Sequence, residues 1–191
     1  GHFTVTKHAS LVFRQQRSGR IVNTSSESGL GNMGQGNYSA AKEGIVGLTR
    51  TLALDLGRYG VTANAIRPRA GTRLTLTPEL RAAMERAREA TKASGGTPPA
   101  GGDAISQMDE LKPELVAPLV VFLCTDKAAN INGRDFIAGG NEISLMSLPD
   151  KERSIYREGG WTLDALDRVF PGTIGAGLRN PMPAQEAAVK P

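Results

Sequence analysis

Gly19-Arg-Ile-Val-Asn-Thr-Ser-Ser26, Gln35-Gly-Asn-Tyr-Ser-Ala-Ala-Lys-Glu-Gly44 and Val61-Thr-Ala-Asn-Ala-Ile-Arg-Pro68 follow one another within a single stretch of the chain. Their order reads as strand, loop, helix, strand. Residues 20–24 are a short run of strand type. Residues 25–36 carry four glycines and read as a loop. A long helix is expected from Asn37 to about Tyr59, with Ala41, Ile45, Leu48, Leu52 and Leu56 as its core stripe and Gly60 as its stop. Residues 61–66 form the next strand, closed by Pro68. Strands alternating with helices predict an α/β fold with a parallel sheet covered on both faces. Ligands of such sheets bind beyond the carboxyl ends of the strands. Those ends carry Ser25 and Ser26 on one strand and Pro68 and Arg69 on the other, so the candidate chemistry falls on one rim.

Tyr38 and Lys42 lie four residues apart, on one face of the expected helix. An ammonium held beside a phenol favours the phenolate. A serine hydroxyl delivered from a neighbouring strand end can hold a carbonyl or an alcohol. Together these groups make a proton-transfer site for an alcohol/ketone interconversion. A Tyr-x-x-x-Lys pair on its own also arises by chance, as a half-buried Tyr and a solvated Lys on an ordinary helix. The flanking strand, glycine loop and helix start give this pair its meaning.

The stretch from Gly19 to Pro68 resembles the second half of a classical short-chain dehydrogenase/reductase. The downstream run Leu111-Lys-Pro-Glu-Leu-Val-Ala-Pro-Leu-Val-Val-Phe-Leu-Cys124, with Pro68-Arg-Ala-Gly-Thr-Arg-Leu-Thr75, is similar to the 3-hydroxyacyl-CoA dehydrogenase domain of multifunctional enzyme type 2 and its bacterial relatives. The resemblance covers about residues 1–146. It implies a Rossmann-like doubly wound sheet and an NAD- or NADP-dependent oxidoreductase acting on a secondary alcohol or ketone, with a 3-hydroxyacyl-CoA as one such substrate. Tyr38 becomes the general acid or base, and Lys42 its partner and the holder of the nucleotide ribose. Counting back thirteen residues from Tyr38, the family's interval, gives Ser25; aligning from the strand side gives Ser26. A loop one residue shorter than the subgroup pattern reconciles the two, and Ser26 is preferred. Asn23, just before the pair, reads as structural. Pro68, Arg69, Thr72 and Thr75 fall where the family touches the nicotinamide carboxamide, although Arg69 replaces the family's common glycine. The resemblance also implies a homodimer or homotetramer, with the helix at 2–17 and the helix at 37–59 packing against their symmetry mates.

The chain has 191 residues and opens with Gly inside a helical pattern, with no strand before it. The family's glycine-rich dinucleotide turn should lie well before Tyr38, and no such turn stands among the 37 residues that precede it. The fold is therefore expected to lack its N-terminal nucleotide-binding half. The family's supporting asparagine is not present either.

Composition bounds the remaining choices. With 39% apolar and 22% charged residues the chain is of globular type, and no run reaches the length of a membrane span. A single cysteine, Cys124, excludes an internal disulfide, fits a reducing cytosol and predicts a cytoplasmic protein. Its apolar neighbours predict inert burial. Net charge is +4, but the basic residues are dispersed and aromatics scarce, so no nucleic-acid footprint is present. His2 and His8 form no metal-ligand pattern, and no metal site is expected. A first helix over residues 2–17 presents Phe3, Val5, Ala9, Val12 and Phe13 as its apolar face. A polar helix is expected over 72–94, a Gly/Pro loop over 94–103, and a helix from Pro113 to near Asp126 bent by Pro118. A turn, two strands and a glycine corner follow over 132–146. Residues 147–191 read as an appended tail with one short helix near 161–170 and a loose end. A non-catalytic module acting through oligomerisation, and a non-redox member using the same Tyr and Lys, are the competing functions.

Overall fold

A computed structural model describes residues 1–72 and 111–182, together with positions 77, 78, 82, 85, 86 and 89. The helix expected over 72–94 and the loop over 94–103 lie almost wholly outside these. The chain divides into two units, Gly1–Leu148 and Pro149–Pro191.

The first unit is built on a four-stranded sheet in the order β1 (Gly19–Thr24), β2 (Val61–Pro68), β3 (Asp135–Gly139) and β4 (Glu142–Leu145). β1, β2 and β3 run parallel, with Gly19 opposite Val61 and Ala65 opposite Asp135. β4 turns back antiparallel on β3. The two-residue corner between them allows only that direction. α1 (His2–Gln16) and α2 (Gly36–Gly57) pack on one face of the sheet. There Ile21, Val61 and Ala63 meet Ala53 and Leu56, with Phe13, Leu52 and Tyr59 around them. α3 (Ala117–Leu123) covers the other face, where Ile66 and Ala138 meet Leu119, Leu123 and Ala128. The sheet is therefore doubly wound, as the strand–helix alternation requires.

Several expectations need correction. The buried stripe of α2 is Val46, Thr49, Ala53 and Leu56. Ala41 is exposed and Ile45, Leu48 and Leu52 are half-buried, so the expected stripe is rotated off the sheet. The sheet-facing positions include polar residues that an apolar count passes over. On α1, Phe3 and Val5 are exposed and Val12 nearly half so, while Thr6 is the buried residue. Its hydroxyl donates back to the His2 carbonyl, which satisfies a polar side chain at a buried position. Pro118 does not bend a long helix. Residues Pro113–Leu115 form a separate 3-10 turn, and Pro118 sits in the first turn of α3, where its missing N–H costs nothing. Cys124 is exposed, not buried. Leu119 and Leu123 point into the core, and the residue after Leu123 is carried around to solvent.

The second unit contains α4 (Leu163–Val169), whose N-cap Thr162 accepts a hydrogen bond from the Ala165 N–H. Arg153 donates to the carbonyls of Thr173 and Ala176 and so ties down the turns that follow α4. Among the described residues, no helix is long and apolar enough to cross a membrane.

Two glycines test this packing in opposite directions. A Cβ on Gly139 would lie 2.3 Å from the Arg69 carbonyl oxygen, whereas one on Gly44 meets nothing within 4 Å. Gly139→Ala should cost about 1–3 kcal/mol by overpacking. Gly44→Ala should gain about 0.5–1 kcal/mol from helix propensity. Thermal melts moving in opposite directions check both.

Candidate active site

The carboxyl ends of β1 and β2 open into a cleft of about 620 Å³. Thr24, Ser25 and Ser26 line it from β1, Tyr38 and Lys42 from α2, and Pro68, Arg69 and Thr72 from the end of β2. The structure thus brings together every sequence-derived site residue except Thr75, which lies outside the described residues.

α2 is anchored to the sheet by a ladder of polar contacts. Lowest in the cleft-ward half, the buried Asn23 amide donates to Thr49 Oγ1 at 2.9 Å, and that hydroxyl donates on to the Ile45 carbonyl. One step up, the buried Ser25 hydroxyl donates to the main-chain carbonyl of Lys42 at 2.7 Å. At the rim, Lys42 Nζ donates to the Thr24 carbonyl at 3.1 Å. The same ammonium lies 5.5 Å from the centroid of the Tyr38 ring. Tyr38 is 43% exposed, so its ring borders the cleft and is open to a ligand. Its own N–H is capped by the Asn37 side chain, which fixes the first turn of the helix.

The two serines do different things. Ser25 is buried and its hydroxyl is committed to α2. Ser26 is half-buried, caps the 3-10 turn Glu27–Leu30 by accepting from the Ser28 N–H, and faces the cleft. A hydroxyl that accepts from a main-chain amide still has its own proton to donate.

Arg69, which stands where the family commonly has glycine, closes the loop after Pro68. Its main-chain N–H donates to the Ala138 carbonyl at 2.8 Å. Its guanidinium grips Glu27 with two hydrogen bonds and also donates to Glu142. The hydrogen bonds from Arg69 hold the Glu27 carboxyl below the usual carboxylate range, outweighing the opposing effect of burial. Burial, then the positive charge of Lys42, holds the His2 imidazole below its usual value. Among the described residues, no group of three His, Cys, Asp or Glu side chains could hold a metal ion.

Sequence reasoning missed three charged residues. Arg67 is 1% exposed and lies directly under the cleft, bonded to Glu43 and Asp135. Burial opposes its charge, but hydrogen bonds to those carboxylates outweigh it and raise its pKa. The signal was present: an arginine stood as the one charged residue inside the strand run Val61-Thr-Ala-Asn-Ala-Ile-Arg-Pro68.

A family model described as enoyl-(acyl carrier protein) reductase matches residues 1–140. A hydroxyacyl-CoA dehydrogenase of Mycobacterium tuberculosis is 40% identical over 168 residues, covering 83% of this chain and 47% of that protein. Peroxisomal multifunctional enzyme type 2 of Mus musculus is 38% identical over 149 residues, covering 76% of this chain and 17% of that protein. The crystal structure of a short chain dehydrogenase from Mycobacterium avium superposes with a TM-score of 0.69 at 34% identity, over 97% of this chain and 55% of that one. The chain belongs to the matched family, within the short-chain dehydrogenases/reductases, and it spans about half the length of the first of these relatives.

The Glu27–Arg69 pair has a pH signature. The folded pKa of Glu27 is depressed, so the pair stabilises the native state at pH values above its ordinary value of 4.5. That contribution is lost as pH falls below 4.5 through the folded value. Both side chains are about a third exposed, so screening keeps the effect near 1 kcal/mol or less. Urea unfolding should show Arg69→Met less stable than wild type at pH 7, with the difference shrinking below pH 4.5 and in high salt.

Proposed function

We propose that this chain carries the catalytic half of an NAD(P)-dependent oxidoreductase that interconverts a secondary alcohol and a ketone, with a 3-hydroxyacyl-CoA as the favoured substrate. The convergence of Tyr38, Lys42 and Ser26 on one cleft at the carboxyl ends of β1 and β2 carries this reading. The relatives named as hydroxyacyl-CoA dehydrogenase and multifunctional enzyme type 2 support the substrate class.

The residues present fit the nicotinamide half of a dinucleotide. Lys42 offers an ammonium at the rim, and the segment from Pro68 to Thr72 lines the cleft beside it. A cleft of about 620 Å³ is of the size that holds a small ligand. When bound, a nicotinamide supplies or accepts the hydride. Tyr38 Oη gives a proton to the ketone oxygen in reduction and takes one from the alcohol in oxidation. Lys42 sets a positive charge beside that phenol and holds the ribose. The Ser26 hydroxyl donates to the substrate oxygen and orients it towards Tyr38. Ser25 serves the scaffold, because its hydroxyl is already spent on α2.

The exposed apolar residues of α1, Phe3, Val5, Leu11 and Val12, support a homodimer or homotetramer. The exposed free thiol of Cys124 supports a reducing, cytoplasmic location.

In the complete protein, Tyr38→Phe should lower kcat by about 10²–10⁴-fold and leave nucleotide binding nearly intact. Lys42→Ala should harm both. Ser26→Ala should reduce turnover more than Ser25→Ala, whose cost should appear in melting temperature instead. Steady-state kinetics with nucleotide titration decides. A Tyr38→Phe variant that keeps a tenth of the activity removes the catalytic reading. Sedimentation of the complete protein should show a dimer or tetramer; monomer alone contradicts the assembly.

A further inference from the structure

Below the cleft lies a charged node that the proposed chemistry does not use. Arg67 sends its planar guanidinium in three directions. Nε donates to Asp135 Oδ2 of β3 at 2.7 Å, Nη1 to the Ser26 carbonyl at 2.8 Å and Nη2 to Glu43 Oε2 of α2 at 2.8 Å. Asp135 is itself 3% exposed, and its second oxygen has no hydrogen-bond partner among the described residues. A buried ion pair of this kind is often replaceable by apolar side chains without loss of stability. Stability alone therefore does not explain an arginine here. What an apolar side chain could not supply is the hydrogen bond to Ser26 and the tie to α2.

We infer that Arg67 is a positioning residue: it holds Ser26 at the rim through its main chain, and through Glu43 it holds the turn of α2 that bears Lys42. This rests on the oxidoreductase reading above. Ser26 is pinned on both sides. The Ser25 N–H before it donates to the Ile66 carbonyl at 2.7 Å, and its own carbonyl accepts from both Arg67 and the Gly29 N–H. The loop presses directly onto the node. A Cβ on Gly29 would lie 2.8 Å from Glu43 Oε2 and 2.9 Å from Arg67 Nη1. An added side chain there would have to displace the end of Glu43 or of Arg67. Lysine could replace the charge but not the fork, since a single ammonium lacks the rigid geometry that reaches three elements at once.

The test uses the complete protein with Arg67→Met, Arg67→Lys and the double variant Arg67→Met/Asp135→Asn, measuring melting temperature, kcat and nucleotide KM. Arg67→Met strands the Asp135 charge, so it should melt lower and lose 10- to 100-fold in kcat, with nucleotide KM within twofold. The double variant removes the stranded charge. Its melting temperature should recover while kcat stays low. Recovery of kcat together with stability shows a purely structural arginine and overturns the inference. Should neither methionine variant fold, Arg67→Lys decides: a 3- to 10-fold fall in kcat at unchanged KM supports positioning, and wild-type kcat overturns it. Tyr38→Phe is measured in parallel. If Tyr38→Phe abolishes turnover while the double variant is fully active, only the role of Arg67 falls. If Tyr38→Phe stays active, the oxidoreductase reading falls and takes the positioning role with it.

Discussion

Helix α2 must lie on the sheet in one rotation and one register, because a single helix carries both the packing and the side chains of the proposed site. The side chains at 38, 42, 46, 49, 53 and 56 share one face by helical periodicity. Away from the cleft this face is apolar, with Ala53 and Leu56 against Ile21, Val61 and Ala63. Towards the cleft it becomes polar: Thr49 meets Asn23, Glu43 meets Arg67, and the Lys42 carbonyl meets Ser25. Apolar contacts are non-directional and tolerate small slips. Hydrogen bonds do not, since they weaken steeply with distance and angle. The polar half of the face therefore sets where Tyr38 and Lys42 stand, and the apolar half supplies the burial that holds the helix down.

This division explains what could be read from the sequence. The strand–helix–strand order of residues 19–68, the rim at Ser25, Ser26, Pro68 and Arg69, and the turn–strand–corner–strand over 132–146 were legible. Each is written in local signals: period, glycine and proline. The rotation of α2 was not legible. A search for an apolar stripe picks Ala41, Ile45 and Leu48, while the face that is buried includes Thr49 and turns half-exposed Lys42 and Glu43 towards the strand ends. Polar residues satisfied across a tertiary contact carry no sign of it in the local pattern. Cys124 failed for a related reason. Its neighbours are apolar, but the helix ends at Leu123 and the next residue turns outward.

Asp135 and Arg67 are 68 residues apart in the chain and were invisible as a pair. The parallel register of β2 and β3 makes them neighbours, since Asp135 stands opposite Ala65 and the Arg67 side chain emerges on the same face two residues on. The same register brings Arg69 beside Gly139. The Arg69 backbone closes onto β3 only because position 139 has no side chain. Two arginines on one strand end thus serve opposite surfaces: Arg67 reaches inward under Ser26, and Arg69 reaches outward over Glu27 and Glu142.

The serine turn sits between these two arginines, and their different burial separates their effects. Arg69 and Glu27 are about a third exposed, so water and salt compete for their bonds, and the turn can loosen there at modest cost. Arg67 and Asp135 are shielded from both, and loss of Arg67 leaves the Asp135 charge unpaired in the interior. The inner arginine is consequently the one that resists change of solvent conditions, and the outer one is the one that responds to it. The proposed site, in which Ser26 and Tyr38 would stay in fixed relation while a ligand crosses the rim, is served by this order of stiffness from the sheet outwards.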